Sequence, residues 1–226
     1  MIKPLPRMLE IRDLSVGILQ TNAYVVFDRD SGEGIIVDPG DEAERIIDLV
    51  KRCGVRVRGI YLTHAHFDHL LAVRDLRSDL GCGFYLHRGD ELILKLAPKY
   101  AREFIGRVIP PPPDPDGWIE DGQIIRIGES SCKIIHTPGH TPGSVCYLLE
   151  EERVVLTGDT LFAGSIGRAD LPGGDLRQLR SSILDKLLKL PDDYAIYPGH
   201  GPSSTIGVER RMNPFVRSFV DSGRLP

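Results

Sequence analysis

What this chain lacks narrows its chemistry before any motif is read. Neither sign of charge dominates: 28 Lys and Arg face 32 Asp and Glu, a formal net charge of −4, so the overall field recommends neither a nucleic acid nor an anionic membrane as partner. No apolar run reaches transmembrane length, and the opening MIKPLPRMLEIRD puts prolines and charges where a secretory signal needs an apolar centre. The expected compartment is the cytoplasm. Cysteine is sparse: Cys53, Cys82, Cys132 and Cys146 are scattered and no two form a C-x-x-C pair. That excludes a zinc knuckle and a thioredoxin-like motif, and without export it excludes a disulfide framework. Cys132 and Cys146 fall in strand-like runs and read as small core residues.

The rest is an ordinary globular composition, 41 % hydrophobic and 27 % charged, with a clear strand and helix grammar. LEIRDLSVGIL, AYVVFD and GIIVDP are short, β-branched and separated by turn residues. DEAERIIDLVKRCG places Ala43, Ile46, Ile47, Leu49 and Val50 at helical spacing, with acids early and Gly54 as C-cap. VRVRGIYLT predicts a strand, HLLAVRDLRSDLG a helix, GFYLH a strand, and residues 89 to 107 a helix. PPPPDPDG, residues 110 to 117, predicts a rigid extended connector. Beyond it QIIRIG, SCKIIHT, VCYLLE and RVVLTG predict strands, DLRQLRSSILDKLLKL an amphipathic helix, and YAIYP a last strand. The grammar repeats on both sides of the connector and the polar clusters are divided between the halves, which argues against a domain boundary there. The expectation is an α/β fold, two βα layers packed sheet to sheet with helices outside: a four-layer αββα sandwich, with residues 1–226 forming a single domain.

What is present in unusual concentration is histidine. The stretch YLTHAHFDHLLA holds His64, His66, Asp68 and His69 within six positions, in a chain with only 7 histidines. His140 lies in HTPGHTPGS, Asp159 in LTGDTLF and His200 in YPGHGPSS, each directly after a predicted strand. Loops at strand ends are where sites are assembled on a rigid scaffold. His87 and His136 read as structural, His87 at a helix entry and His136 within a strand. Crowded imidazoles and carboxylates need partners when buried, and a divalent cation satisfies several at once. Imidazole and carboxylate donors without thiolate suit zinc, manganese, iron or nickel. Seven donors exceed one tetrahedral ion and suit two ions that share a carboxylate. Such ions, roughly 3.5–4 Å apart, lower the pKa of a shared water and polarise a carbonyl or phosphoryl group.

With His64-x-His66-x-Asp68-His69, then His140, Asp159 and His200 in that order, the chain strongly resembles the metallo-β-lactamase superfamily over nearly its whole length. The resemblance implies that family's αββα fold. It implies that His64, His66 and His140 hold one metal, Asp68, His69 and His200 the other, and that Asp159 bridges both. Two divalent transition-metal ions follow, zinc first, with iron or manganese accepted by the same set. GSIGRADLPGGD and YPGHGPSSTIGVERRMNPF are similar to the short glyoxalase-II-like hydrolases, which implies a small-molecule hydroxyacyl thioester as substrate, attack by a hydroxide bridging the metals, and catalytic roles for Asp68 and Asp159. Arg168 falls where those relatives place a basic residue against a carboxylate of the thiol portion. Glyoxalase II itself carries a C-terminal helical domain that helps hold glutathione, and only 26 residues follow His200 here, so another thiol carrier is expected. GSIGRAD is also similar to persulfide dioxygenases, which hold one iron through positions matching His64, His66 and His140; lactone and phosphoester hydrolases share the ligand pattern as further alternatives. A purely structural metal site fits less well, since such sites are closed and four-coordinate.

Overall fold

The computed structural model describes residues 9–222; the first eight residues of the opening that bears on secretion lie outside them. The first half folds as strands β1 (Leu9–Val16), β2 (Thr21–Asp28) and β3 (Glu33–Val37), helix α1 (Ala43–Cys53), strand β4 (Arg56–Tyr61), helix α2 (Val73–Leu80), strand β5 (Gly83–His87), helix α3 (Glu91–Ile105) and strand β6 (Gly117–Ile119). The six strands lie side by side in chain order, the first three antiparallel and the rest parallel. The second half supplies β7 (Ile124–Ile127), β8 (Ser130–His136), β9 (Val145–Leu149) and β10 (Val154–Gly158), a small hairpin of β11 (Leu161–Phe162) and β12 (Ser165–Ile166), helix α4 (Leu176–Ser181), β13 (Ala195–Pro198), β14 (Ser204–Thr205), and helices α5 (Ile206–Met212) and α6 (Pro214–Ser222). Its main sheet runs β14-β13-β10-β9-β8-β7, antiparallel except where β10 meets β13 across the α4 crossover.

Strands buried on both faces read as continuous apolar runs, and β2, β3, β9 and β10 do. In β2, Ala23, Val25 and Phe27 pack toward α1–α3 while Tyr24 and Val26 pack between the sheets. In β9, Val145, Tyr147 and Leu149 face the inter-sheet core, and Cys146 and Leu148 face the cluster that holds Leu179, Ile183, Ile206 and Phe219. Three apolar interfaces therefore separate four layers, the αββα sandwich expected from strand grammar. Cys132 and Cys146 are in the core, where burial pushes their thiols up to about 12 and about 11. Among the described residues no helix is long and apolar enough to cross a membrane.

Several elements differ from the expectation. The helix predicted from His69 begins only at Val73, because the preceding backbone closes a single tight turn (Phe67–His69) and the Ala72 N–H donates to Pro39 O at 3.1 Å. The helix predicted over residues 175–190 starts on an Asp175 cap as α4, widens to π turns over Ser182–Lys186 and tightens over Leu187–Lys189. The connector is pinned: Arg77 reaches Asp114 O at 3.2 Å and Asp116 at 2.5 Å. It then delivers Trp118 in β6, a strand too short and too glycine-proline flanked to stand out in the sequence. Gly54 caps α1 in the left-handed region (φ 66°), as expected.

Two tyrosines tie the sheets together at one edge. Tyr147 on β9 donates to Leu62 O at 2.6 Å, and Tyr24 on β2 donates to Pro198 O at 2.6 Å. Each acceptor precedes a clustered histidine, His64 or His200, by two residues, so each sheet grips the other's polar loop. Pro198 O also accepts from Asn22 Nδ2 at 3.0 Å, whereas removing the Tyr147 hydroxyl takes away the side-chain donor to the Leu62 carbonyl. Tyr147→Phe should cost about 1–3 kcal/mol, read as a lower urea midpoint with an unchanged slope. A wild-type midpoint would mean that the inter-sheet bond carries no stability.

Candidate metal centre

Every residue of the predicted set sits just beyond the C-terminal end of a strand: His64, His66, Asp68 and His69 after β4, His140 after β8, Asp159 after β10 and His200 after β13. The structure brings all seven together. Donor atoms of His64, His66 and His140 lie within 4.8 Å of one another, as do those of Asp68, His69 and His200, and those of His64, His69 and Asp159. His66 Nδ1 and His140 Nε2 are 2.9 Å apart, and His69 Nε2 and His200 Nε2 are 3.3 Å apart. Asp159 stands between the two groups, with Oδ2 3.6 Å from His140 Nε2 and 3.7 Å from His200 Nε2. Close approach demands glycine here: a Cβ on Gly199 would strike Asp159 Oδ1 and the His69 ring.

Contacts on the outer side of four of the rings aim them at the cluster. His140 Nδ1 donates to Arg168 O at 2.7 Å and His200 Nδ1 to Leu19 O at 3.0 Å. Thr63 donates its hydroxyl to Asp38 Oδ2 at 2.6 Å, so the same oxygen accepts from His64 Nδ1 at 3.0 Å. His69 Nδ1 lies 3.0 Å from Asp38 Oδ2, in ion-pair range though poorly aligned for a hydrogen bond. Such outer contacts set the tautomer and aim of metal-binding imidazoles. What remains inside is a set of facing imidazole nitrogens and carboxylate oxygens, with His64 Nε2 and Asp159 Oδ1 buried and without a hydrogen-bond partner. That set fits divalent transition-metal ions, which accept from several donors at once.

The electrostatics divide the set. Burial and the neighbouring imidazoles hold His64 well below its ordinary pKa, and burial with His140 brings His66 to about 3. Burial opposes charge on His69 too, yet Asp68, Asp159 and Asp38 outweigh it and lift the ring to about 10. His200 is raised as well: burial is overcome by the hydrogen bond it donates to Asp68 and by the charge of Asp159. Asp68 is lowered despite burial, because His69 and His200 stabilise its charge. His64 and His66 thus favour neutral rings, whereas His69 and His200 hold protons that a cation must displace.

Sequence reasoning missed two carboxylates that build this arrangement. Asp38, at the end of β3 with φ 50°, accepts from Thr63 N at 2.7 Å besides its contacts to Thr63 Oγ1 and His69. It follows an apolar strand in IIVDPG, the same strand-then-polar pattern that flagged Asp159. Asp90 accepts from Ala65 N and Thr141 Oγ1 at 2.8 Å and from Gly143 N at 2.6 Å, which clamps the His64–His66 loop to the His140 loop. Its pKa is raised because burial outweighs those three donors. His87 and His136 stay outside the cluster, as expected: their rings stack at 4.1 Å, with His87 at a strand end capping the turn that enters α3. Arg168 lines the cavity of about 430 Å³ over the cluster, with its guanidinium held bidentate by Asp170 at 3.0 and 2.9 Å.

Residues 16–200 match the family described as the metallo-beta-lactamase superfamily. The chain belongs to that superfamily. It is a metallo-hydrolase by that membership, and relatives agree along almost their whole length. It is 38 % identical over 216 residues to the Hydroxyacylglutathione hydrolase GloC of Haemophilus influenzae, covering 93 % of this chain and 99 % of the relative. A solved structure titled BLEG-1 B3 metallo-beta-lactamase superposes with TM-score 0.85 at 40 % identity, covering 92 % and 99 % of the two chains. The structure of TTHA1623 in a di-iron-bound form gives TM-score 0.82 at 41 % identity, covering 90 % and 99 %.

The proton inventory of this superfamily member makes a pH prediction. His69 and His200 have raised pKa values, so at neutral pH a metal must displace protons from them, and affinity there rises with pH toward the His69 value near 10. His64 and His66 are already neutral, so neither has a proton to give up when a metal binds there in the neutral range. Dialysis of metal-loaded protein from about pH 8 to about pH 6 against a weak chelator should release metal from His69 and His200 before it leaves His64 and His66. Loss of all bound metal in a single step would contradict this division.

Proposed function

We propose that the chain is a thioester hydrolase of the glyoxalase II type, with two divalent transition-metal ions, zinc or iron, held by His64, His66 and His140 and by Asp68, His69 and His200, and with Asp159 shared. The observation that carries this reading is the position of Asp159, whose carboxylate lies at nearly equal distance from a nitrogen of each trio. The near-full-length similarity to a hydroxyacylglutathione hydrolase supports the thioester class. Bound there, the ions supply Lewis acidity that activates water and polarises a carbonyl.

This chain's own residues do the rest. Asp38, through Thr63 and His69, and the carbonyls of Arg168 and Leu19 aim the imidazoles, so little reorganisation is needed when charge develops. Asp68 and Asp159 place negative charge among the donors and set the electrophilicity of the site. In the reaction a water oxygen bonds to the thioester carbon and the C–S bond breaks. The bonding pair leaves with sulfur, so the products are a carboxylic acid and a thiol. A thiolate leaves readily, and no further side chain is assigned as general acid.

S-lactoylglutathione hydrolysis and glutathione-persulfide-dependent oxygen uptake, run side by side on zinc- and iron-loaded protein, test the reading. Hydrolysis without oxygen uptake is expected, and Asp159→Ala should lower both the metal content and the rate, the latter by about 10³-fold or more. Oxygen uptake without hydrolysis would replace the hydrolase by an iron dioxygenase. Near-normal turnover in Asp159→Ala would remove the shared carboxylate from the proposal.

A further inference from the structure

The cavity above the donors has an uneven chemistry that bears on which thioester it accepts. One wall is aromatic. Phe67, between His66 and Asp68 in sequence, lies 6.3 Å from Phe104 with the rings only 20° from parallel, and Tyr100 lies 6.1 Å from Phe104 on the next turn of α3. Phe104 is 57 % exposed, so its ring is an open shelf and not part of the packed core. Further lining is apolar as well, from Phe162 and Ile166 of the β11–β12 hairpin and from Leu171. Phe162 lies 6.4 Å from the His200 ring, which sets this lining against the donor cluster.

The charge on the same walls is nearly absent. Apart from the donor residues, the only ionisable cation among the described residues lining the cavity is Arg168, and Asp170 occupies its guanidinium at two points. Glutathione carries two carboxylates. An anchor for either has Arg168 as the single wall cation, with its charge already shared with Asp170. A neutral apolar arm requires no cation, and covering the Phe104 face removes apolar surface from water.

We propose that the cavity selects thioesters with a neutral, apolar arm, aryl or bulky alkyl, seated on the Phe67–Phe104–Tyr100 shelf, and disfavours carriers bearing carboxylates such as glutathione. This rests on the thioester hydrolase reading. The shelf makes Phe104 a specificity-determining residue. Its exposed position on α3 leaves the core intact when it is truncated.

The test uses metal-loaded protein and two pairs of neutral thioesters, with S-lactoylglutathione as the charged comparison. Phenylacetyl and acetyl esters of N-acetylcysteamine vary the acyl side, and lactoyl esters of benzyl and ethyl mercaptan vary the thiol side. In at least one pair the aryl member is expected to lead by about tenfold in kcat/KM and to exceed S-lactoylglutathione. Phe104→Ala should erase that ratio. Calorimetric binding of the matching non-hydrolysable thioethers, with and without the Phe104 ring, gives a readout independent of turnover. A leading S-lactoylglutathione, or an aryl preference and thioether affinity unchanged in Phe104→Ala, would overturn the shelf while the hydrolase reading stands. Tight, Phe104-dependent thioether binding with no hydrolysis of any ester would support the shelf and remove the thioesterase.

Discussion

Seven metal-binding side chains aimed at one small volume satisfy one another only in part, and this constraint organises the molecule. Imidazole nitrogens face each other at 2.9 and 3.3 Å, and the carboxylates of Asp68 and Asp159 close the remaining sides. Such an arrangement does not form by default. It is imposed by contacts on the far side of each ring, and the most economical of these is Asp38, one buried carboxylate that fixes Thr63, His64 and His69 together. Its left-handed backbone (φ 50°) is a conformation that aspartate tolerates only where the surroundings hold it.

The sandwich supplies that hold. Four strands from two sheets must end at the same edge for their loops to meet, and the apolar layer between the sheets sets their separation. Tyr24 and Tyr147 cross that layer in opposite directions and each grips a carbonyl just upstream of a clustered histidine. Asp90 performs a related task within one side, joining the start of α3 to both histidine loops. A shift of either sheet by a fraction of an ångström would be felt at the donors directly, since well-packed interiors transmit strain rather than absorb it.

Above this rigid floor the cavity differs in character. Its floor is densely polar and its walls are aromatic and aliphatic, with the lone wall arginine paired to a neighbouring aspartate. The metal-binding side chains and the apolar lining of Phe67, Phe104 and Phe162 are therefore separate parts of one cavity. The β11–β12 hairpin that carries Phe162 is itself anchored, through Gly164 N to the buried Glu209 at 2.8 Å and through Ser165 O to Asn213 at 2.9 Å. That gives the GVERRMNPF segment a physical task the sequence did not disclose.

The sequence by itself determined the order of the longer strands and of the helices up to α4, the four-layer sandwich and the identity of the clustered residues. Those properties are written in local periodicity, in apolar runs that end on polar residues, and in spacing within a dozen positions. The tertiary structure alone decided which nitrogen of each ring faces inward, that Asp38 and Asp90 are buried carboxylates with positioning work, and that Arg168 is already paired. Those depend on contacts between residues far apart in the chain: Asp38 with Thr63 and His69, His140 with Arg168, and His200 with Leu19. The late start of α2 has the same origin, because the Ala72 N–H bonds to Pro39 O across the fold. A side chain's hydrogen-bond partner is set by which strands pair and how the sheets stack, and no periodicity in the sequence records that.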